Sequence, residues 1–245
     1  FFLRSRLKLG LIYKSKIFGI PFYKPNLFFK IIFNYFETFT SKKYLNKIEH
    51  LPSKLINLSN KLSLNIKISD RYYYKPSINE KNFIKKFRKF LKNRFILIHL
   101  DEKWLDINDI DENLYEELVI FQKKIKKKII ITFFKNSFGY FTNLKKKLKK
   151  KKNTNIILFE NSRLEMMERM INYSKFAVSC HSGYLVQICG TNKTKIIDII
   201  NKKDFVWYSC WVPKNTSHQF VFKSDDKKNF KIEKILFDVL KKIKK

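Results

Sequence analysis

The residues of this chain best suited to chemistry gather in one short turn, Ser179-Cys180-His181-Ser182-Gly183. The turn follows an apolar run at residues 176–178 and precedes a mostly apolar segment at 184–189, which we interpret as a helix stopped by residues 190–192. Helix starts carry unpartnered N–H groups and partial positive charge, so such a turn can bind an anion. Gly183 would let a ligand approach the backbone, and Ser182 would cap the helix or donate to a phosphate oxygen. A purely structural turn with a capping serine is the alternative interpretation.

Short apolar runs alternate with helical patterns on both sides of this turn. We predict helices at residues 113–125, 162–173 and 230–243 and around Leu144 and Leu148, with irregular structure at 201–223. We predict five strands, at residues 95–100, 129–134, 155–159, 176–179 and 195–200. Short apolar strands that alternate with helices are typical of an α/β fold with a doubly wound parallel sheet, covered on both faces.

Ligands of such sheets bind beyond the carboxyl ends of the strands. The polar residues that follow the predicted strands there include Asp101, Lys103, Glu160, His181, Ser182 and Gly183. A lysine and a helix start suit a phosphate, and the two carboxylates suit the hydroxyls of a ribose or sugar, so we expect a ligand such as a nucleotide sugar. No G-x-G-x-x-G follows the first strand, which argues against a nicotinamide or flavin cofactor, and no G-x-x-x-x-G-K-[ST] is present, which excludes a P-loop ATPase.

The chain is strongly basic, with a net charge of +32 over 245 residues. This charge favours anionic partners: nucleic acid, lipid headgroups or phosphorylated small molecules. Only seven of the 53 basic residues are arginine, however, and lysine, asparagine, isoleucine and phenylalanine are all abundant. That composition fits an AT-rich coding sequence, and arginine is the residue preferred for bidentate phosphate and base contacts. We therefore attribute much of the charge to genome bias.

Cysteine usage and hydropathy indicate a protein of the reducing cytosol. Cys180, Cys189 and Cys210 form no C-x-x-C pair, and cysteine and histidine do not group at zinc spacing, so we predict neither a metal nor a cofactor. No uninterrupted apolar run approaches the ~20 residues that a membrane span needs. Because the first residue is Phe1, we expect the sequence to be a fragment or a partial gene product.

Residues 95–200 resemble the carboxyl-terminal half of a GT-B glycosyltransferase of the ADP-heptose:lipopolysaccharide heptosyltransferase-like group, glycosyltransferase family 9. The resemblance lies in the order and spacing of three segments: IHLDEKW at 98–104, NSRLEM at 161–166, and the strand and turn at 175–183 with the next strand at 196–199. Residues 50–66 also resemble the tail of that family's first domain. We therefore expect a partial, mainly helical acceptor-side region at 1–93 and a Rossmann-like donor-binding domain with a carboxyl-terminal helix at 94–245.

The resemblance implies a metal-independent, inverting transfer of a sugar from a nucleotide-diphospho-sugar to a glycan or lipid-linked acceptor, as in lipopolysaccharide biosynthesis. Lys103 and the helix start at Ser182-Gly183 would meet the charge of the departing diphosphate, and His181 would hydrogen-bond the donor. The implied location is cytoplasmic, peripheral on the inner face of the membrane. Two departures stand out: Cys180-His181 replaces Asn-Asp, and the glycine-rich start of the first domain is missing. No catalytic base is therefore named, and the chain is either a fragment or a degenerate relative.

Two other functions compete with this one. A nucleic-acid-binding protein would explain the charge and the interleaved aromatic residues, but arginine is sparse and no known nucleic-acid module is present. A peripheral membrane protein without catalysis would explain the basic, aromatic-rich residues 1–45, which suit an anionic membrane surface.

Overall fold

The computed structural model describes residues 18–19, 35–36, 53, 56–57, 60, 94–108, 110–133, 139–151, 155–159, 164–192, 194–212, 217–223 and 231–244. The strands are β1 (Phe18–Gly19), β2 (Tyr35–Phe36), β3 (Ile96–His99), β4 (Ile129–Thr132), β5 (Ile156–Phe159), β6 (Phe176–Ser179), β7 (Lys195–Asn201) and β8 (His218–Lys223). The α-helices are α1 (Ile110–Ile125), α2 (Thr142–Lys151), α3 (Leu164–Tyr173), α4 (Gly183–Asn192), α5 (Phe205–Ser209) and α6 (Ile232–Lys244), and η1 (Glu102–Asp106) and η2 (Lys202–Asp204) are 3-10 turns. Residues 50–52, Glu160 and most of the region 1–93, on which several sequence predictions fall, lie outside the described residues.

Contacts divide the chain into two compact units, Phe1–Ser69 with Asp204–Trp211, and Asp70–Lys203 with Val212–Lys245. In the first unit, β1 pairs in parallel with β2, and the rings of Trp207 and Trp211 meet edge to face with centroids 5.8 Å apart. The second unit holds the large sheet and all the site residues described below.

The sheet of the second unit has six parallel strands in the order β5-β4-β3-β6-β7-β8. The predicted doubly wound parallel sheet is thereby confirmed. Successive strands are added outward from β3 in one direction and outward from β6 in the other, so the order reverses between β3 and β6. The loops that follow β3 and β6 consequently leave the same edge of the sheet as neighbours, which is where ligands of open α/β sheets bind.

Two apolar layers cover the sheet. The helices α1, α2 and α6 pack on one face, against side chains such as Ile96 and Ile98, while α3 and α4 pack on the other, against side chains such as Leu97. The alternation along β3 follows from the two-residue period of a strand, and its residues are buried on both faces. Among the described residues, no helix combines the length and apolar character that crossing a bilayer requires.

The prediction for residues 201–223 is wrong. Residues 201–223 were predicted to be irregular but contain η2, α5 and the sixth strand, β8. The strand β8 lies at the edge of the sheet and is only partly buried, so its sequence, HQFVFK, lacks the continuous apolar run that marks the central strands. The helix α4 ends at Asn192, within residues 190–192 that were predicted to stop it.

The carboxyl edge of the sheet is stepped. Strands β3 to β6 end at one level, as the pairing of His99 with Thr132 and with Ser179, and of Thr132 with Phe159, shows. Asp198 of β7 lies opposite Ser179, and β7 then runs on to Asn201 with β8 alongside it.

Candidate functional site at the carboxyl edge of the sheet

The loop after β3 is held by hydrogen bonds on both sides of Lys103. The side chain of Asp101 caps η1 by accepting a 3.1 Å bond from the Lys103 main-chain N–H. The indole of Trp104 is fully buried, and its Nε1 donates a 2.9 Å bond to the carbonyl of His99. Because its neighbours are fixed in this way, the direction in which Lys103 leaves the loop is also fixed.

The turn after β6 leads directly into α4. Oγ of Ser179 accepts a 3.3 Å bond from the N–H of Ser182, and the carbonyl of Ser182 accepts a 3.0 Å bond from Val186 within the first turn of α4. His181 has a φ of +54°, in the left-handed region that few residues other than glycine adopt, although histidine and asparagine are found there more often than most. The helix begins at Gly183, so its first N–H groups face the carboxyl edge of the sheet.

One hydrogen bond joins the two loops. Nζ of Lys103 donates to the main-chain carbonyl of His181 at 2.7 Å. Asp101, Lys103, His181, Ser182 and Gly183, all predicted from the sequence as site residues, are therefore gathered in one place by the topological switch between β3 and β6. An ammonium group has three donors, so this bond leaves Lys103 able to bind a phosphate oxygen as well.

A buried carboxylate behind the turn was not among the predicted site residues. Asp198 of β7 has no exposed surface, and its Oδ2 lies 2.5 Å from Nδ1 of His181 and 3.3 Å from Nε2 of His218. Its Oδ1 accepts a 3.5 Å bond from Oγ of Ser179. Burial favours the neutral acid, but the contacts with His181 and His218 outweigh it and lower the pKa of Asp198. An aspartate inside the apolar run KIIDII was the available signal, since a charge in a buried strand needs a partner.

Lys223, also missed in the sequence, supports the β3 loop from β8. It is only 6% exposed, and its Nζ donates to the carbonyl of Lys103 at 2.7 Å and to Oδ2 of Asp106 at 3.2 Å. Two successive lysine hydrogen bonds therefore link β8 to the turn after β6. Lys223 donates to the main-chain carbonyl of Lys103, and Lys103 donates to the main-chain carbonyl of His181.

Two further groups at this edge have perturbed acidity. Burial raises the pKa of the Asp101 carboxyl to about 6, although the charge of Lys103 acts in the opposite direction. Burial also raises the pKa of the Cys180 thiol well above its ordinary value, which disfavours the thiolate form of this cysteine.

Gly183 is not required by the fold. Its φ lies outside the left-handed region, and a Cβ built on it would have no heavy atom of the described residues within 4 Å apart from its chain neighbours and its own helix backbone. Among the described residues, the space beside the Gly183 Cα is therefore open. Within the described residues, no group of three or more histidine, cysteine, aspartate or glutamate side chains is arranged to hold a metal ion.

The fold is similar to that of a glycosyltransferase of family 9 from Veillonella parvula, with a TM-score of 0.60 and 12% sequence identity over 96% of this chain and 75% of that chain. It is also similar to E. coli heptosyltransferase WaaC, solved with ADP, with a TM-score of 0.49 and 13% identity over 88% of this chain and 60% of that chain. For S. aureus MnaA, solved with UDP, the TM-score is 0.45 and the identity 9%, over 98% of this chain and 69% of that chain.

No protein-family model matches the sequence, and a search of curated proteins finds no match. At these identities the structural likeness establishes the fold. The GT-B-like, heptosyltransferase-like resemblance drawn from the sequence is confirmed at that level.

Proposed function

We propose that this protein is a glycosyltransferase that takes its sugar from a nucleotide-diphospho-sugar. The observation that carries the proposal is the adjacency of β3 and β6, which brings the ammonium of Lys103 to the turn from which α4 begins. A cation beside a helix start is a site for a diphosphate. The fold shared with a family 9 glycosyltransferase supports the same assignment.

Each site residue has a role in this proposal. The diphosphate lies on the N–H groups near Gly183, Ser182 donates to a phosphate oxygen, and Lys103 supplies a counter-charge. His181 hydrogen-bonds the donor, and Asp101 and Glu160 accept hydrogen bonds from ribose or sugar hydroxyls. The charge that develops on the departing diphosphate is met by lysine and the helix start, so the proposed reaction is metal-independent. The base that removes the proton of the acceptor hydroxyl is not assigned.

We further propose that the acceptor is a lipid-linked glycan or lipopolysaccharide and that the protein works at the inner face of a membrane. The sequence resemblance to the heptosyltransferase-like group and the basic, aromatic-rich composition of residues 1–45 support this part of the proposal. In this arrangement, residues 94–245 bind the donor and residues 1–93 lie on the acceptor side.

Calorimetric titration of UDP, ADP and GDP into the wild-type protein tests the donor site. We expect one of the three nucleotides to bind with a dissociation constant below about 1 mM, which corresponds to a binding free energy of about −4 kcal/mol. Weaker binding would not indicate a specific site. Binding of single-stranded oligonucleotides at moderate salt, with no binding of any nucleoside diphosphate, would instead identify a nucleic-acid-binding protein and reject the proposal.

A further inference from the structure

Asp198 places one buried negative charge between two histidines. The side chains of Asp198, His218 and His181 are 0%, 3% and 13% exposed, respectively. A single buried carboxylate balances one positive charge, and a second uncompensated charge in the same place would be costly. The cluster therefore has room for one imidazolium, and the question is which histidine carries it.

The surroundings assign the charge to His181. Nδ1 of His218 is buried and has no hydrogen-bond partner among the described residues, so protonating it would bury an N–H without an acceptor. The ring of His218 also stacks on Phe220, with centroids 4.5 Å apart, which keeps that side of the ring apolar. His181, by contrast, is the more exposed of the two and is bonded to Asp198 through Nδ1.

The geometry of His181 connects this charge to the turn. Because Nδ1 faces Asp198, the second ring nitrogen, Nε2, lies on the far side of the ring. A neutral ring that donates from Nδ1 offers only a lone pair at Nε2, whereas an imidazolium donates from both nitrogens. His181 immediately precedes Ser182 and Gly183, where the proposed diphosphate lies.

We infer that His181 binds the diphosphate as an imidazolium with Asp198 as its internal counter-charge, so that nucleotide binding takes up a proton. This inference rests on the proposed function and adds a proton-linked contact to its site. Asp198 acts through His181 and is a positioning residue. His218 approaches the same oxygen of Asp198, Oδ2, at 3.3 Å, while Oδ1 accepts from Ser179.

Several other charged groups face this turn and fix the pH range of the test. Lys103 contacts the carbonyl of His181, while Asp101 and Lys223 act on the neighbouring Cys180 together with Asp198. Burial raises the pKa of Asp101 to about 6, which is below the pH range of interest. Terminal phosphates lose their last proton near pH 6, so from pH 7 to pH 9 the nucleotide itself contributes no uptake.

The experiment is calorimetry with whichever of UDP, ADP and GDP binds, performed from pH 7 to pH 9 in buffers of different ionisation enthalpy. We expect the affinity for the nucleotide to fall as the pH rises, by up to tenfold per pH unit. We also expect the observed binding enthalpy to change with the ionisation enthalpy of the buffer, because the buffer supplies up to one proton per nucleotide bound. His181→Asn retains a residue that tolerates positive φ, and we expect at least a tenfold loss of affinity at pH 7 with the pH dependence abolished. Asp198→Asn should move the pH dependence to lower pH, which loss of a purely structural contact would not do.

Asp238→Asn on α6, which removes a partly exposed aspartate paired with Lys241, is the matched control and should leave both readouts unchanged. If Asp198→Asn does not fold, the affinity of His181→Asn and the number of protons that the wild-type protein takes up on binding are sufficient to test the inference. Binding with pH-independent affinity and no proton uptake would overturn this inference while leaving the proposed function intact. Failure of all three nucleotides to bind at any pH would overturn both.

Discussion

Lys103 and His181 lie 78 residues apart in the sequence, yet Nζ of Lys103 donates a 2.7 Å hydrogen bond to the main-chain carbonyl of His181. The bond reaches from the loop after β3 to the turn after β6, across the point where the strand order reverses. Lys103 therefore has a structural role in holding the turn, besides the counter-charge that we propose for it.

Removing the ammonium of Lys103 tests both roles. We expect Lys103→Ala to weaken nucleoside diphosphate binding by roughly 1.5–3 kcal/mol, the usual contribution of a hydrogen bond to a charged group. It should also lower the free energy of unfolding by about 1 kcal/mol through loss of the bond to His181. Calorimetry and urea unfolding measure the two effects. Lys149→Ala, an exposed lysine on α2, is the control and should show only a small, salt-sensitive change. If the two variants bind nucleotide equally well, Lys103 is not a phosphate contact.

Gly183→Val tests the open space in front of α4. A Cβ at Gly183 meets no atom of the described residues within 4 Å apart from its chain neighbours and its own helix backbone, so the fold should persist, with a melting temperature within a few degrees of wild type. We expect nucleotide binding to be abolished, because the valine would occupy the position of the diphosphate. Gly139→Val is the matched control, since a Cβ at that exposed glycine also meets nothing within 4 Å. Unchanged binding in Gly183→Val would place the ligand elsewhere.

The acidity of Asp101 predicts a pH-dependent stability. Its pKa is raised from 3.8 to about 6 by burial, so between pH 4 and pH 6 the folded protein holds a proton that the unfolded chain has released. The contribution of Asp101 to the free energy of unfolding therefore falls as the pH rises through that range. Asp101→Asn retains an oxygen for the η1 cap but carries no charge. We expect it to be more stable than wild type at pH 8, by on the order of 2 kcal/mol, and not at pH 4.

Chemical denaturation of Asp101→Asn at both pH values measures this difference. Asp238→Asn, at a partly exposed aspartate, is the control, and its stability relative to wild type should be the same at pH 4 and pH 8. A stability difference of the same size at pH 4 and pH 8 would mean that the charge of Asp101 is not its cause.

Lys126 lies just after α1 and has a φ of +51°, a conformation that costs a non-glycine residue roughly 1–2 kcal/mol. Its N–H closes the helix by donating a 2.9 Å bond to the carbonyl of Gln122. Glycine is the residue preferred at this position, so Lys126→Gly should stabilise the fold by about 0.5–1 kcal/mol after the entropy of glycine is subtracted. Urea unfolding measures the gain. Lys127→Gly, next in the chain and without a positive φ, should not stabilise the protein.

The sheet and the turn were predictable because their signals are local. Short strands such as β4 and β6, each with three consecutive apolar residues, are recognisable in the sequence, and the rule that ligands bind at strand ends then selected Lys103 and His181. Asp198, His218 and Lys223 were not selected. Asp198 lies within an apolar strand, and the roles of the other two depend on β8, a partly buried edge strand, returning to pair with β7.

The order of strands and helices in the sequence therefore indicated where a ligand should bind, but it could not show which buried charged side chains contact one another at that place. That information depends on contacts such as the one between Lys223 and Lys103, which are 120 residues apart in the sequence.

The stepped edge of the sheet gives the proposed site a direction. Beyond the level at which β6 ends, β7 continues for residues 199–201, a ledge about 10 Å high at roughly 3.3 Å per residue, and β8 runs beside it. On the other side, β3, β4 and β5 all stop at the lower level, so the strands themselves raise no wall there. Among the described strands, a ligand bound at the turn would therefore meet the longer strands β7 and β8 on one side and no strand of comparable height on the other.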